Sequence, residues 1–351
     1  MQGSIERVTA VINGEIPDRA PLFDLLRNDA VIEHFTGQKL TVENAPDLVP
    51  AAYPPAIDAT RSMRLPDAEE TVTLPNGRKR ITYRWTSWTE HRVYPDSAHY
   101  ADEKRKELEN QDPCAWDAQK QERLETSLAK TRREHAERGD FMFVPGVGSP
   151  GLCGLYSEVG LEAFSYYLVD CPDIITELME RNTASIETRL NHYPDDHGQL
   201  VYFMADDIAF NSGPIFSPDW LREHYIPRLA RIADAMHRKG IKLLFHSDGN
   251  LNPILDDLVE AGIDGLNPIE VLAGMDVAEI HRRYPHLFMA GGIDVSQLLP
   301  FAKPEAVKDA VKRTLDSAEG RIMIGSTTEL HNDVPLENFL AMRDAVLENP
   351  Y

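Results

Sequence analysis

Acidic and histidine residues recur in this sequence just past apolar, β-type runs. Asp24 and Arg27 follow 20–23, Asp206 and Asp207 follow 200–205, and His246 and Asp248 follow 241–245. Glu270 comes soon after 263–266, Asp294 follows Gly291-Gly292-Ile293, and Glu329 and His331 follow 321–325. Carboxylates gathered in one place repel one another unless a proton, an arginine or a metal ion intervenes, which raises pKa values into the range of general acids. His246-Ser247-Asp248, with Glu270, would offer three metal-capable side chains. In a second reading His246 donates a proton or hydrogen bond to a substrate and a carboxylate orients it. A polar residue after a strand is also a common turn former or helix cap, and Asp294 and Asp248 taken singly fit that role equally well.

The elements that must position these residues follow from periodicity. From residue 141 onward, short apolar runs (141–147, 200–205, 241–245, 263–266, 287–290 and 321–324) alternate with amphipathic helical stretches (161–190, 219–238, 252–261, 276–283 and 304–318). Unbroken strand–helix alternation means a parallel sheet covered by helices. With an earlier strand at 20–24 the count approaches eight, which predicts a (β/α)8 TIM barrel whose site lies at the C-terminal mouth. Residues 4–13 form a short amphipathic helix ahead of it, and helical stretches follow at 28–36 and 42–52.

Thr71-Val72-Thr73-Leu74, then Pro75-Asn76-Gly77, then Ile81-Thr82-Tyr83-Arg84-Trp85 read as a β-hairpin with an Asn-Gly turn. The next stretch, 101–139, is highly charged and helical, a solvated face interrupted at Pro113. Together 69–139 form an insertion within one barrel domain spanning 1–351. Trp85 and Trp88 pack within the hairpin or line an aromatic pocket, and Tyr156 is a further candidate for such a pocket. No Gly-x-Gly-x-x-Gly turn follows the first strand, and Gly146-Val147-Gly148-Ser149-Pro150-Gly151 lacks a P-loop lysine, so it reads as a tight turn at the mouth.

Composition narrows the partners. A net charge of -21 over 351 residues disfavours nucleic acid and anionic membrane surfaces. The 42% apolar content is enough for a sizeable core. Cys114, Cys153 and Cys171 are odd in number and lack paired spacing, which points to a reducing cytoplasm. No leader pattern and no long apolar span is present, so the expected chain is neither exported nor membrane-spanning.

Several stretches together resemble the uroporphyrinogen decarboxylase superfamily, which includes corrinoid-dependent methyltransferases. They are Arg7-Val8-Thr9-Ala10-Val11-Ile12-Asn13-Gly14 with Asp18-Arg19-Ala20-Pro21, Asp206-Asp207-Ile208-Ala209 through Phe216-Ser217-Pro218, and His246-Ser247-Asp248-Gly249. Gly291-Gly292-Ile293-Asp294 and Asp333-Val334-Pro335-Leu336-Glu337-Asn338 followed by Ala341-Met342 complete the set. The resemblance implies the barrel but leaves the reaction open. Porphyrinogen decarboxylases grip their substrate with a glycine- and arginine-rich stretch after the first strand. Here Phe23-Asp24-Leu25-Leu26-Arg27-Asn28-Asp29 has one arginine, an extra acid and no glycine. Thiol methyltransferases of the superfamily hold zinc through a His-x-Cys pair and a later Cys, whereas His246-Ser247-Asp248 takes that place here and no Cys follows Cys171.

What remains is similar to members that take a methyl group from a small methoxylated, usually aromatic, donor and pass it to the cobalt of a corrinoid (cobalamin) on a separate protein. The resemblance therefore implies an O-demethylating methyltransferase with a corrinoid-binding protein as partner, zinc as an open question and a homodimer as one open assembly. His246, His331, Asp207 and Glu270 are the catalytic candidates, and Asp24, Arg27, Tyr156, Asp206 and Asp294 the substrate-binding ones. His246, Asp248 and Glu270 are the candidate metal ligands. The alternatives are decarboxylation of a porphyrinogen or another carboxylated substrate, and a barrel that only binds a corrinoid protein.

Overall fold

The computed structural model describes residues 2–109 and 112–351. Eight short parallel strands close on themselves in chain order. These are β1 (22–23), β2 (Ala59–Thr60), β3 (Met142–Phe143), β4 (Val201–Ala205), β5 (Lys242–His246), β6 (Gly265–Asn267), β7 (Phe288–Ile293) and β8 (Ile322–Ser326). β4 to β8 form one continuous parallel sheet, and β2 pairs with β3. Single bridges join the rest: Phe23 to Ala59, Gly146 to Phe203, and Leu22 to Ile324, the last of which shuts the barrel. Closure leaves the barrel itself without a free edge.

The strand predicted at 20–24 is present, and so are all six later ones. β2 was not predicted, because two residues carry no period to detect. Alternation then sorts side chains. Phe23, Ala59, Met142, Val201, Phe203, Leu244, Phe288, Ala290 and Met323 point inward and fill the barrel. Val8, Val11 and Ile12, from the helix Ser4–Asn13, join the same cluster and plug the N-terminal end. Alternate residues such as Tyr202, Met204, Leu243 and Phe245 face the helix layer. Each large side chain buried this way contributes about 1.5–3 kcal/mol.

The motif Arg7…Asp18-Arg19 serves this closed end. Arg7 Nε lies 2.6 Å from Asp18, and Arg19 Nη1 lies 2.8 Å from Asp58. The buried Asp58 carboxylate also accepts from Ser4 Oγ and the Leu22 amide. The stretch is thus a clamp beneath the barrel, opposite the mouth.

Between β2 and β3 the chain makes a three-stranded antiparallel sheet, Glu70–Thr73, Lys79–Thr82 and Ser87–Thr89, with Gly77 at φ 81 in the predicted turn. Trp85 is buried and donates to Asp29, while Trp88 is half exposed on the sheet. Two helices follow, Ser97–Leu108 and Ala118–Arg138. Leu124 and Leu128 of the second are buried in the main core, so this helix covers the barrel between β2 and β3. The predicted helix over 161–190 is two, Leu161–Asp170 and Pro172–Asn191, because Pro172 starts a new helix rather than continuing one. Among the described residues no helix is long and apolar enough to cross a membrane.

Candidate active site at the barrel mouth

Strand direction puts the C-terminal residues of β4 and β5 at the open end. His246 is the last residue of β5 and shares the inward parity of Leu244, so its ring sits on top of the filled barrel, with its centroid 5.1 Å from that of Phe203. Its Nδ1 lies 2.7 Å from Asn267 Oδ1 at the end of β6. Asn267 in turn donates its Nδ2 to the Ala290 carbonyl, which fixes Oδ1 as the atom facing the imidazole. Nδ1 is therefore the protonated nitrogen, and Nε2 presents a lone pair to the mouth.

Two carboxylates meet that lone pair. Asp207 Oδ1 is 3.6 Å and Asp248 Oδ1 3.9 Å from Nε2. Burial, reinforced by the charge of Arg61, holds the His246 pKa below its ordinary value despite both acids. A neutral imidazole lone pair facing two anionic oxygens is repulsive without a cation between them. One ligand atom each from Asp207, His246 and Asp248 lies within 4.8 Å of the others, a compact set for one metal ion. One nitrogen and two carboxylate oxygens suit a divalent transition ion, zinc included.

This set differs from the expected one, His246, Asp248 and Glu270, by having Asp207 in place of Glu270. Glu270 Oε2 instead accepts the Gly249 amide at 2.6 Å. Gly249 sits at φ 92, and a Cβ there would come within 2.6 Å of the Ala209 backbone, so only glycine lets the loop pass and offer this amide. Burial, aided by the charges of Asp248, Asp294 and Asp207, pushes the Glu270 carboxyl up. Thr328 Oγ1 donates to Asp248 Oδ1 at 2.6 Å from a backbone at φ 97. That conformation is unfavourable for a β-branched residue and marks stored strain beside the site.

Other candidates take structural positions. Asp206 is buried and accepts the amides of Gly151, Leu152 and Cys153, so the anion in the glycine-rich turn is the chain's own carboxylate at the start of helix Leu152–Val159. Asp294 accepts from Ser296 and from the amides of Gln297 and Leu298, the turn-forming role. Asp24 is buried between Leu25 and both donors of Ser326, tying β1 to β8. All three expected substrate-binding carboxylates are thus engaged by the chain's own amides, with a serine hydroxyl added at Asp24 and Asp294.

Arg27 pairs with Glu329 at 2.5 Å, and it is register partner to His331 on a two-residue parallel extension of the barrel wall. His331 donates from Nε2 to the Val295 carbonyl and stands outside the group around His246. Tyr156 donates to the Asp207 carbonyl at 2.9 Å and packs on Phe164 and Phe216, so it supports Asp207 from behind. A surface cavity of about 850 Å³ lies between the inserted sheet and helix Ser97–Leu108 and includes none of these residues. Arg61, Asn267 and Thr328 were not predicted. Arg61 could not be, because the strand it follows is too short to recognise.

A closed eight-stranded barrel with a histidine and two acids at its mouth defines a barrel enzyme of the kind whose chemistry sits on the loops after its strands. The uroporphyrinogen decarboxylase (URO-D) family model matches residues 107–348, and the chain belongs to that family. Among solved structures it is similar to a methyltransferase from Methanosarcina mazei, with TM-score 0.68 and 19% identity over 99% of both chains. A putative vitamin-B12 independent methionine synthase from Listeria monocytogenes matches at TM-score 0.39 and 16% identity, over 63% of this chain and 67% of that one. No curated protein matches the sequence.

Proposed function

We propose that this protein is a methyltransferase that takes the methyl group of a small methoxylated aromatic compound and delivers it to a corrinoid on a separate protein in a reducing cytoplasm. One observation carries the reading: the bare Nε2 of His246 faces Asp207 and Asp248, which makes a cation site where a methyl ether could be activated. Full-length likeness to a methyltransferase fold agrees with it. The corrinoid, when bound, supplies the cobalt nucleophile that accepts the methyl group. A divalent ion at Asp207, His246 and Asp248 would supply Lewis acidity at the donor oxygen.

The chain's own part is to manage the leaving phenolate. His246 has no proton to give at the mouth, since its one proton is committed to Asn267 and burial disfavours a second on Nε2. Glu270 is the better placed donor: Gly249 occupies Oε2, which leaves Oε1 to carry a proton to the departing oxygen. Porphyrinogen decarboxylation fits less well, because Arg27 is already paired with Glu329 and one further arginine cannot grip eight carboxylates.

The test is anaerobic incubation with a reduced corrinoid carrier and a panel of methoxylated aromatics, followed through the cobalt(I) absorbance, with metal content measured on the same sample. Loss of that absorbance with at least one donor, abolished in Asp207→Asn, is the expected result. Carbon dioxide release from a carboxylated pyrrole, with no change for any ether, would favour decarboxylation.

A further inference from the structure

Arg61 stands immediately past β2, and the residues on either side of it are held by buried hydroxyls. Thr60 Oγ1 donates to the Asp24 carbonyl at 2.6 Å, and Tyr53 Oη donates to the Ser62 carbonyl at 3.2 Å. The guanidinium carbon lies 4.4 Å from the centroid of the Phe203 ring, the same ring on which His246 rests. Arg61 and His246 therefore share one aromatic floor at the mouth: burial and then the charge of Arg61 lower the His246 pKa, while burial and the charge of Arg27 lower that of Arg61 against the opposing pull of Glu329, Asp248 and Asp207.

No ion pair or hydrogen bond reaches the Arg61 guanidinium among the described residues, and its Nε is buried without a partner. Glu329, an acid within its field, is paired with Arg27. A guanidinium carries five donors in a planar fork; in Arg61 the Nε is shut off from water and unused, which is costly, while the two terminal nitrogens keep contact with solvent. Stacking on Phe203 compensates only its face. The edge is free to donate two parallel hydrogen bonds to a planar anion, the arrangement that a carboxylate matches best.

We infer that Arg61 binds a carboxylate of the substrate, so that the methyl donor is a methoxylated aromatic acid rather than a neutral ether. The inference rests on the methyl-transfer reading for the methoxy group alone; the carboxylate is argued from Arg61. Phe203 cannot stack the substrate ring as well, since its face is occupied, so the acid enters edge-on between Arg61 and the group around His246.

The experiment is calorimetric titration of the purified protein with benzoate, each ring isomer of methoxybenzoate, and methoxybenzene, on wild type, Arg61→Gln and Arg61→Lys. Wild type is expected to bind benzoate and at least one methoxybenzoate with saturation. Arg61→Gln should weaken both about tenfold or more, Arg61→Lys should fall between, and methoxybenzene should bind weakly and equally to all three. Thermal unfolding of Arg61→Gln should match or exceed wild type, because the substitution removes an unpaired, partly buried charge, which separates lost binding from lost fold. Equal binding of methoxybenzene and methoxybenzoate, unchanged affinity in Arg61→Gln, or no saturable binding of any benzoate would overturn the inference. Arginine-dependent benzoate binding with no methyl transfer from any methoxybenzoate would leave it standing and remove the methyl-transfer reading instead.

Discussion

Asn267 decides which nitrogen of His246 faces the mouth: its Oδ1 accepts from Nδ1 at 2.7 Å, and its own amide is locked by the Ala290 carbonyl. Replacing it with leucine frees the ring to turn and to change tautomer. Metal affinity at Asp207, His246 and Asp248 should then fall about 10- to 100-fold, as for other residues that orient a metal-binding histidine. Competition against a chromophoric chelator measures this directly; unchanged affinity would remove Asn267 from that role.

Glu270 is expected to matter for turnover and not for metal. In Glu270→Gln the Gly249 amide keeps an acceptor, while the transferable proton is lost. The rate of methyl transfer should drop about 100-fold, with metal content by atomic emission equal to wild type. A parallel loss of metal would make Glu270 a ligand after all.

Thr328 isolates backbone strain from its hydrogen bond. Thr328→Ala and Thr328→Gly both lose the contact with Asp248, but only glycine relaxes at φ 97. Thr328→Gly should therefore be the more stable of the two by about 1 kcal/mol in urea unfolding. Equal stabilities would mean that the turn moves freely.

Asp24 gives a pH signature. Burial pushes its carboxyl up to about 6 from the ordinary value of 3.8. The folded state thus binds the proton more tightly than the unfolded state, so this group's contribution is complete below about pH 4 and is lost as pH rises through about 6. Wild-type stability relative to Asp24→Asn should shrink by about 2–3 kcal/mol between about pH 4 and pH 7, measured by chemical denaturation at each pH. A difference that is flat, or grows with pH, would contradict the raised pKa.

Asp58 tests the clamp at the closed end. Asp58→Ala leaves Arg19 and the Leu22 amide without their acceptor, and should cost roughly 3 kcal/mol while metal binding at the mouth survives in the folded protein. Denaturant midpoints and metal content on the same preparation check both halves.

Seven of the eight barrel strands were legible because each carries a short, mainly apolar run that alternates with a helical stretch or, for the first, follows a turn. His246, Asp207 and Asp248 were legible for a related reason, since each lies where a recognisable strand hands over to its loop. Recognition stopped where that logic had nothing to act on. Ala59–Thr60 is too short to announce itself, and Arg61 went with it. The roles of Asp206, Asp294 and Asp24 were hidden differently: a carboxylate at a strand end looks the same in sequence whether it meets a ligand or three backbone amides. Only the positions of those amides separate the two cases.

Strand β1 shuts the barrel against β8, and Asp24 meets Ser326 across 302 residues of chain. The first strand to leave the ribosome consequently waits for the last before its edge is covered. Until residue 326 emerges, the barrel is an open sheet whose interior side chains and N-terminal plug lack part of their packing, and the entropy of closing so long a loop remains to be met. Such a nascent chain exposes two unpaired edges for most of its synthesis. Its yield in a cell should therefore respond to chaperone supply more steeply than the stability of the finished barrel would suggest.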